Sequence, residues 1–231
     1  MHALLIGFST DATFRHTVDR LQESALGIDV LDLARLAEPG VALEIVESAR
    51  GLRVTLGERV HDFAACRAFH HRARWQDLGD EDANARLSRL LHHVFDWLEA
   101  CDGTVVNRPV RDAAPIDAAA HQHRAPGATV RVHWVGGRLF SERLDTQADC
   151  DIPPEVARLC YRHCESRCLM LVAFDFAIAA DGCWTLLAAD PLPAYEDSDR
   201  RHGHRIARAL ADLLASGAHT PHVPPAHRGA G

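Results

Sequence analysis

Few residues in this chain have the type and spacing to do chemistry. The stretch LLAADPLP, residues 186–193, ends an apolar run in an isolated acid, Asp190, held between Ala189 and Pro191. A carboxylate at the end of a buried-looking strand is a candidate catalytic acid or metal ligand. The run CYRHCESRC spaces Cys160, Cys164 and Cys168 four residues apart in turn, which invites a metal reading. A helix rises about 1.5 Å per residue, so the outer pair would stand roughly 12 Å apart, too far to share one ion at Zn–S distances of about 2.3 Å. Thiols packed as small hydrophobes on one face with Val156 are the preferred reading. The chain has 16 histidines, gathered in AFHHR, LLHHVFDW, HQH, RRHGH and the C-terminal stretch. His121 and His123 of HQH could coordinate a metal from a loop, and His92 and His93 flank a helix face. No HExxH spacing occurs, so surface or packing roles are preferred. GxSxG, a Walker loop and a G-x-G-x-x-G after the first strand are also missing, and FSTDATFR has too few glycines to cradle a phosphate.

Composition narrows the classes further. The 231 residues have 47% hydrophobic and 25% charged content, ordinary for a globular chain with a real core, as one large domain or two small ones. A formal charge of −7 argues against a nucleic-acid partner, which calls for a basic surface. No apolar run approaches the roughly 20 residues that span a bilayer. MHALLIGFST reads as a first strand rather than a leader, so a cytoplasmic location is expected. The 7 cysteines form no CxxC pair and fit reduced thiols better than a disulfide framework. The chain contains no lysine, so arginine supplies all 25 basic side chains and lysine-dependent chemistry is excluded.

These residues must be positioned by elements that the periodicity outlines. HALLIGFS (2–9) reads as a strand, followed from Thr10 by a helix with Phe14, Val18 and Leu21 on one face. IDVLDL (28–33) is a second strand, residues 43–47 and 52–56 form a hairpin around Gly51, and CRAFHHR (66–72) is a further strand. DEDANARLSRLLHHVFDWLEAC (80–101) is the clearest helix, and TVVNRP (104–109) a short strand after it. This alternation is the order of an open α/β sheet. Residues 110–121 have weak periodicity and read as a linker. ATVRVHWVGGRLFSERLD (128–145) is a hairpin turned at Gly136 and Gly137, PPEVARLCYRHCESRC a helix, and LMLVAFDFAIAADGCWTLLAAD a second hairpin turned at Asp181 and Gly182. DSDRRHGHRIARALADLLAS reads as one closing helix, and the Pro-, Gly- and His-rich tail as disordered.

The order of QHRAPGATVRVHWVGGRLFSERLD, a helix, AFDFAIAADGCWTLLAADPLP and a closing helix resembles the C-terminal part of ATP-grasp carboxylate–amine ligases. Within that superfamily it is most similar to the graspetide or microviridin type of peptide ligase and to the ribosomal S6 glutamate-ligase type. The first 109 residues, with AFHHR and VVNRP, resemble that branch's pre-ATP-grasp domain. The resemblance implies a pre-ATP-grasp-like α/β domain over 1–109, a linker over 110–127, a C-terminal ATP-grasp-like α+β subdomain over 128–217 and a disordered tail over 218–231. Such enzymes clamp ATP, phosphorylate a carboxylate and let an amine or hydroxyl attack the acyl phosphate.

The same resemblance assigns roles to residues. Asp175 of FDF matches the first magnesium-binding acid, Asp190 stands where an asparagine ligand is expected, and Arg131 of TVRVHW matches an arginine that approaches phosphate or substrate. Position 188, where the central glutamate belongs, is Ala188. A lid subdomain and its lysines are expected where only residues 110–127 lie. Losing several charge-stabilising parts together predicts a degenerate, non-catalytic protein that recognises a peptide or a full-length ligase, with no catalytic residue. The resemblance leaves a remnant Mg and ATP site as the only cofactor expectation, and no membrane or nucleic-acid partner. A homodimer through the uncovered surface is a further expectation. The competing reading is an ATP- and Mg-dependent carboxylate–amine ligase, active alone or with a partner chain. A structural ion pair at a sheet edge is the plain alternative for Arg131 with its two acids.

Overall fold

The computed structural model describes residues 2–48, 51–109 and 128–217. The first strand, β1 (His2–Gly7), is buried at every position after His2, as expected of a parallel strand covered on both faces. It pairs in parallel with β2 (Gly27–Asp32) on one side and β6 (Ala68–His71) on the other, and β6 pairs with β7 (Thr104–Val106), giving the order β2-β1-β6-β7. Parallel neighbours need crossovers, and α1 (Ala12–Gln22) and α2 (Glu81–Ala100) supply two of them. Asp11 caps α1 by accepting from the Thr13 and Phe14 amides, and Asp80 caps α2 by accepting from Ala83.

Between β2 and β6 the chain makes a small antiparallel sheet of β3 (Leu43–Ser48), β4 (Gly51–Leu56) and β5 (Arg59–Asp62). The third of these strands was not expected from the sequence. Its signal is Gly57 at φ +62, which lets the chain reverse after Leu56. Alternation along β1 sends Leu4 and Ile6 to one core, shared with β4 and with Leu87, Leu90, Val94 and Leu98 of α2. Ala3 and Leu5 point to the opposite face.

The second half is an antiparallel sheet in the order β11-β10-β8-β9, built from β8 (Ala128–Val135), β9 (Arg138–Arg143), β10 (Leu171–Ile178) and β11 (Trp184–Asp190). Gly136 at φ +54 and Gly137 at φ +95 make the two-residue turn that joins β8 to β9. α3 (Pro154–Ser166) covers one face, burying Val156, Cys160 and Cys164 against Val130, Val132, Phe174 and Phe176. Cys168 lies past the helix end at φ +52 and does not share that buried face.

The closing segment is two helices, not one: α4 (Glu196–Arg201) and α5 (Arg205–Ser216). Gly203 at φ +60 and His204 at φ +61 are left-handed, a conformation no helix continues through. α5 packs Ile206, Leu210 and Leu214 into a core that holds Ala3 and Leu5 of the first sheet together with Val135, Phe140 and Leu171 of the second. At about 1.5–3 kcal/mol for each large apolar side chain buried, this wedge contributes substantially to joining the two sheets. No helix among the described residues is long and apolar enough to cross a membrane.

Candidate functional site

The antiparallel register places Glu142, Arg131, Asp175 and Ala188 in one row across β9, β8, β10 and β11. Arg131 and Asp175 therefore stand on the two central strands, not at a sheet edge as the ion-pair alternative supposed. They do form an ion pair. The Arg131 guanidinium donates from Nε to Asp175 Oδ1 at 2.8 Å and from Nη2 to Oδ2 at 2.9 Å, a planar fork that occupies both carboxylate oxygens. These hydrogen bonds, opposed by burial and helped by the charges of Asp175, Glu142 and Asp190, raise the Arg131 pKa above its ordinary value. The β10–β11 register shifts between Asp175 and Phe176, opposite Ala188 and Leu186. A bulge at this point bends β11 and re-aims the side chains beyond it.

Asp190 lies two register positions along, in the next row on the same face, opposite Ala173, whose other neighbour is His133. It is exposed, contrary to its buried look in the sequence. Its Oδ1 accepts from the Leu192 amide at 2.8 Å, turning the chain over Pro191. The segment beyond is anchored from the first half: Asn107 Nδ2 donates to the Pro191 carbonyl at 2.6 Å, and the buried Arg72 donates to the Pro193 carbonyl at 2.7 Å. Asn107 also donates to Leu171 O and accepts at Oδ1 from the amides of Met170 and Leu171, so it fixes the start of β10 too. Arg72 in turn pairs with Asp11 at 3.0 Å; despite the cost of burial, that charge and the α1 amides hold Asp11 below the usual carboxylate range.

Two groups on this face escaped the sequence reading. His133 is fully buried, with no hydrogen-bond partner for either ring nitrogen among the described residues. Burial, with the Arg131 charge beside it, pushes its pKa down to about 4, so it is neutral at pH 7. Glu142 is buried and accepts a fork from Arg201, at 2.8 Å to Oε2 and 2.9 Å to Oε1, along with the Ser198 hydroxyl. Burial opposes ionisation, but these donors outweigh it and hold Glu142 below its ordinary pKa. Glu142 and Arg201 are 59 residues apart, and no local spacing marks such a pair.

The structure thus brings Arg131 and Asp175 into contact and leaves Asp190 on the neighbouring row, engaged with its own turn. The face carries two arginine–carboxylate forks, which cancel much of its charge. The cysteines do not converge: burial raises Cys160 and Cys164 to about 12, which leaves them as thiols. His121, His123 and the tail histidines lie outside the described residues, as do the linker and tail themselves.

Comparison with known proteins gives the architecture a context. No protein-family profile matches the chain, and no curated protein does. Among solved structures, the chain is similar to a RiPP-associated ATP-grasp ligase from Chryseobacterium gregarium, determined with ADP and a leader and core peptide. The TM-score is 0.71 at 10% identity, covering 96% of this chain and 99% of that one. It is also similar to the macrocyclase MdnC from Microcystis aeruginosa, bound with precursor peptide MdnA, at TM-score 0.70 and 13% identity over 94% of this chain and 100% of that one. A RimK-domain ATP-grasp protein from Sphaerobacter thermophilus matches at TM-score 0.52 and 14% identity, over 93% of this chain and 100% of that one. The mixed order of a parallel sheet, an antiparallel sheet and a wedge helix is therefore the ATP-grasp fold, in the arrangement shared with RiPP-associated ligases.

Proposed function

We propose that this chain is a non-catalytic ATP-grasp-fold subunit that recognises a peptide, or a full-length ligase acting on one, in ribosomal peptide modification. The observation that carries this reading is the Arg131–Asp175 fork beside Ala188. Magnesium needs free carboxylate oxygens in near-octahedral geometry, usually with phosphate and water completing the set. On this face the acid that would hold it is committed to an arginine, and the neighbouring position has only a methyl group to offer. The absence of lysine and the short 110–127 connection support the same reading. Peptides are the proposed ligand because solved structures of this fold carry a leader, core or precursor peptide. Calorimetry with ATP and magnesium should give no magnesium-dependent binding at micromolar concentrations; such binding would overturn the proposal.

One observation favours a second reading, a nucleotide site completed by a partner chain. Arg131 and Asp175 keep 32% and 26% side-chain exposure, so a magnesium-bound phosphate could reach both and separate the fork. Activity of a mixture with the partner ligase should then vanish on Asp175→Ala. Unchanged turnover excludes this reading.

A further inference from the structure

Away from the sheet face, the break between α4 and α5 gathers a second set of ligand atoms. His16 comes from α1, while Asp199 and His204 come from α4 and from the residue that caps α5. His16 Nε2 lies 2.8 Å from Asp199 Oδ2, and His204 Nδ1 lies 3.2 Å from the same oxygen. All three ligand atoms lie within 4.8 Å of one another, and among the described residues this is the one group of its kind.

The surroundings hold these atoms in place. Asp199 is 0% exposed and its other oxygen, Oδ1, accepts from the Ala207 amide at 2.9 Å. That bond aims Oδ2 at the two imidazoles, as outer contacts do for carboxylate ligands of metals. His204 adopts φ +61, an uncommon conformation for a residue with a side chain, and thereby turns its ring back over Asp199. The His16 and His204 rings sit 5.8 Å apart, centroid to centroid. His16 is buried while the His204 side chain is 40% exposed, so an ion has a route in.

We propose that His16, Asp199 and His204 form a binding site for a first-row divalent cation, with zinc as the reference ion and water completing its shell. Two imidazoles and a carboxylate are a borderline-soft set suited to zinc, cobalt or nickel rather than magnesium or calcium. Ligand atoms about 2.0–2.1 Å from a tetrahedral ion stand about 3.3 Å from one another. The present spacings of 2.8 and 3.2 Å therefore need to open by no more than about half an ångström. Without an ion, the rings donate their protons to Oδ2. On binding, the proton on each near nitrogen is lost to water, a proton is taken up from water on the far nitrogen where that one is bare, and the freed lone pair turns to the metal. Because His16 and Asp199 are 183 residues apart, the ion staples the first helix to the closing segment. The site is separate from the Arg131–Asp175 face, and its test is independent of the function proposed above.

The test uses the full chain, stripped with chelator and titrated with Co2+ and then Zn2+. One equivalent of Co2+ should give visible ligand-field bands that Zn2+ removes. Zn2+ at about a hundred times its Kd should raise Tm by about 5–10 °C. His204→Ala changes an accessible ring, and should lower the affinity at least tenfold and abolish the Tm rise; His204→Gln repeats the measurement if the first variant folds poorly. With histidines elsewhere in the chain, affinity within twofold of the parent in either folded variant would place the ion elsewhere and overturn the proposal. So would an identical Tm for the parent chain with and without Zn2+.

Discussion

Asp175 and Arg131 illustrate how a residue's chemistry depends on what stands opposite it. The family resemblance carried by FDF and TVRVHW singles both out as candidate site residues. Their mutual engagement is not legible in the sequence, since it depends on the β8–β10 register, which pairs residues 44 apart. The same register makes a gain-of-function experiment specific. Ala188→Glu places a carboxylate opposite Asp175 across the β10–β11 pair, where a cation can compete with Arg131 for two acids instead of one. We expect Mn2+ affinity, read by calorimetry or electron paramagnetic resonance, to rise at least about tenfold, corresponding to roughly 1.4 kcal/mol. No change would mean that one added carboxylate does not make a metal site on this face. Asp190 shows the opposite lesson: a run of apolar neighbours suggested burial, but the strand ends there and the carboxylate turns outward to cap Leu192.

At the scale of elements, periodicity located nearly every helix and strand, and it failed where conformation rather than hydrophobicity decides. The strand β5 is short and half exposed, so it leaves little apolar signature. The break before α5 hides inside a run whose composition is helical throughout, and only Gly203 hints at it. α5 itself falls within the run read as a closing helix, but nothing there marks it as the wedge between two sheets, because the sequence of one helix does not tell which face meets which. Leu210 is fully buried within that wedge. Leu210→Ala should cost about 2–5 kcal/mol, and hydrogen exchange should show β1 and β10 losing protection together rather than one at a time. Loss confined to one sheet would mean that α5 does not couple them.

For the whole molecule, buried neutral histidines set a pH dependence. Burial, together with the nearby charges of Arg72 and His71, lowers His70 from 6.5 to about 3. His133, facing Arg131, Glu142, His202 and Asp175, falls to about 4. Between those values and 6.5 the unfolded chain takes up protons that the folded one refuses, so stability rises with pH and is lost as pH falls below about 6.5. Each histidine contributes a loss of about 2 kcal/mol at pH 5, enough together to lower Tm by about 8–16 °C. Thermal melts at pH 7 and pH 5 check this, and His133→Leu should flatten the dependence; a parent Tm that is level across the range would refute it.

Asn107 sits at φ +54 where the first sheet ends, and its side chain binds backbone groups at both the start of β10 and Pro191. All of these bonds run from one side chain to backbone groups of the second half. With α5 wedged across the same junction, the chain has the makings of a split protein. Fragments 1–109 and 128–217, produced separately and mixed, should reassemble without a covalent link, comigrate on gel filtration and recover the circular dichroism of the intact chain. Asn107→Ala should then weaken the reassembly well beyond any effect on the first fragment alone. A molecule held together this way keeps its two halves in register through its own side chains.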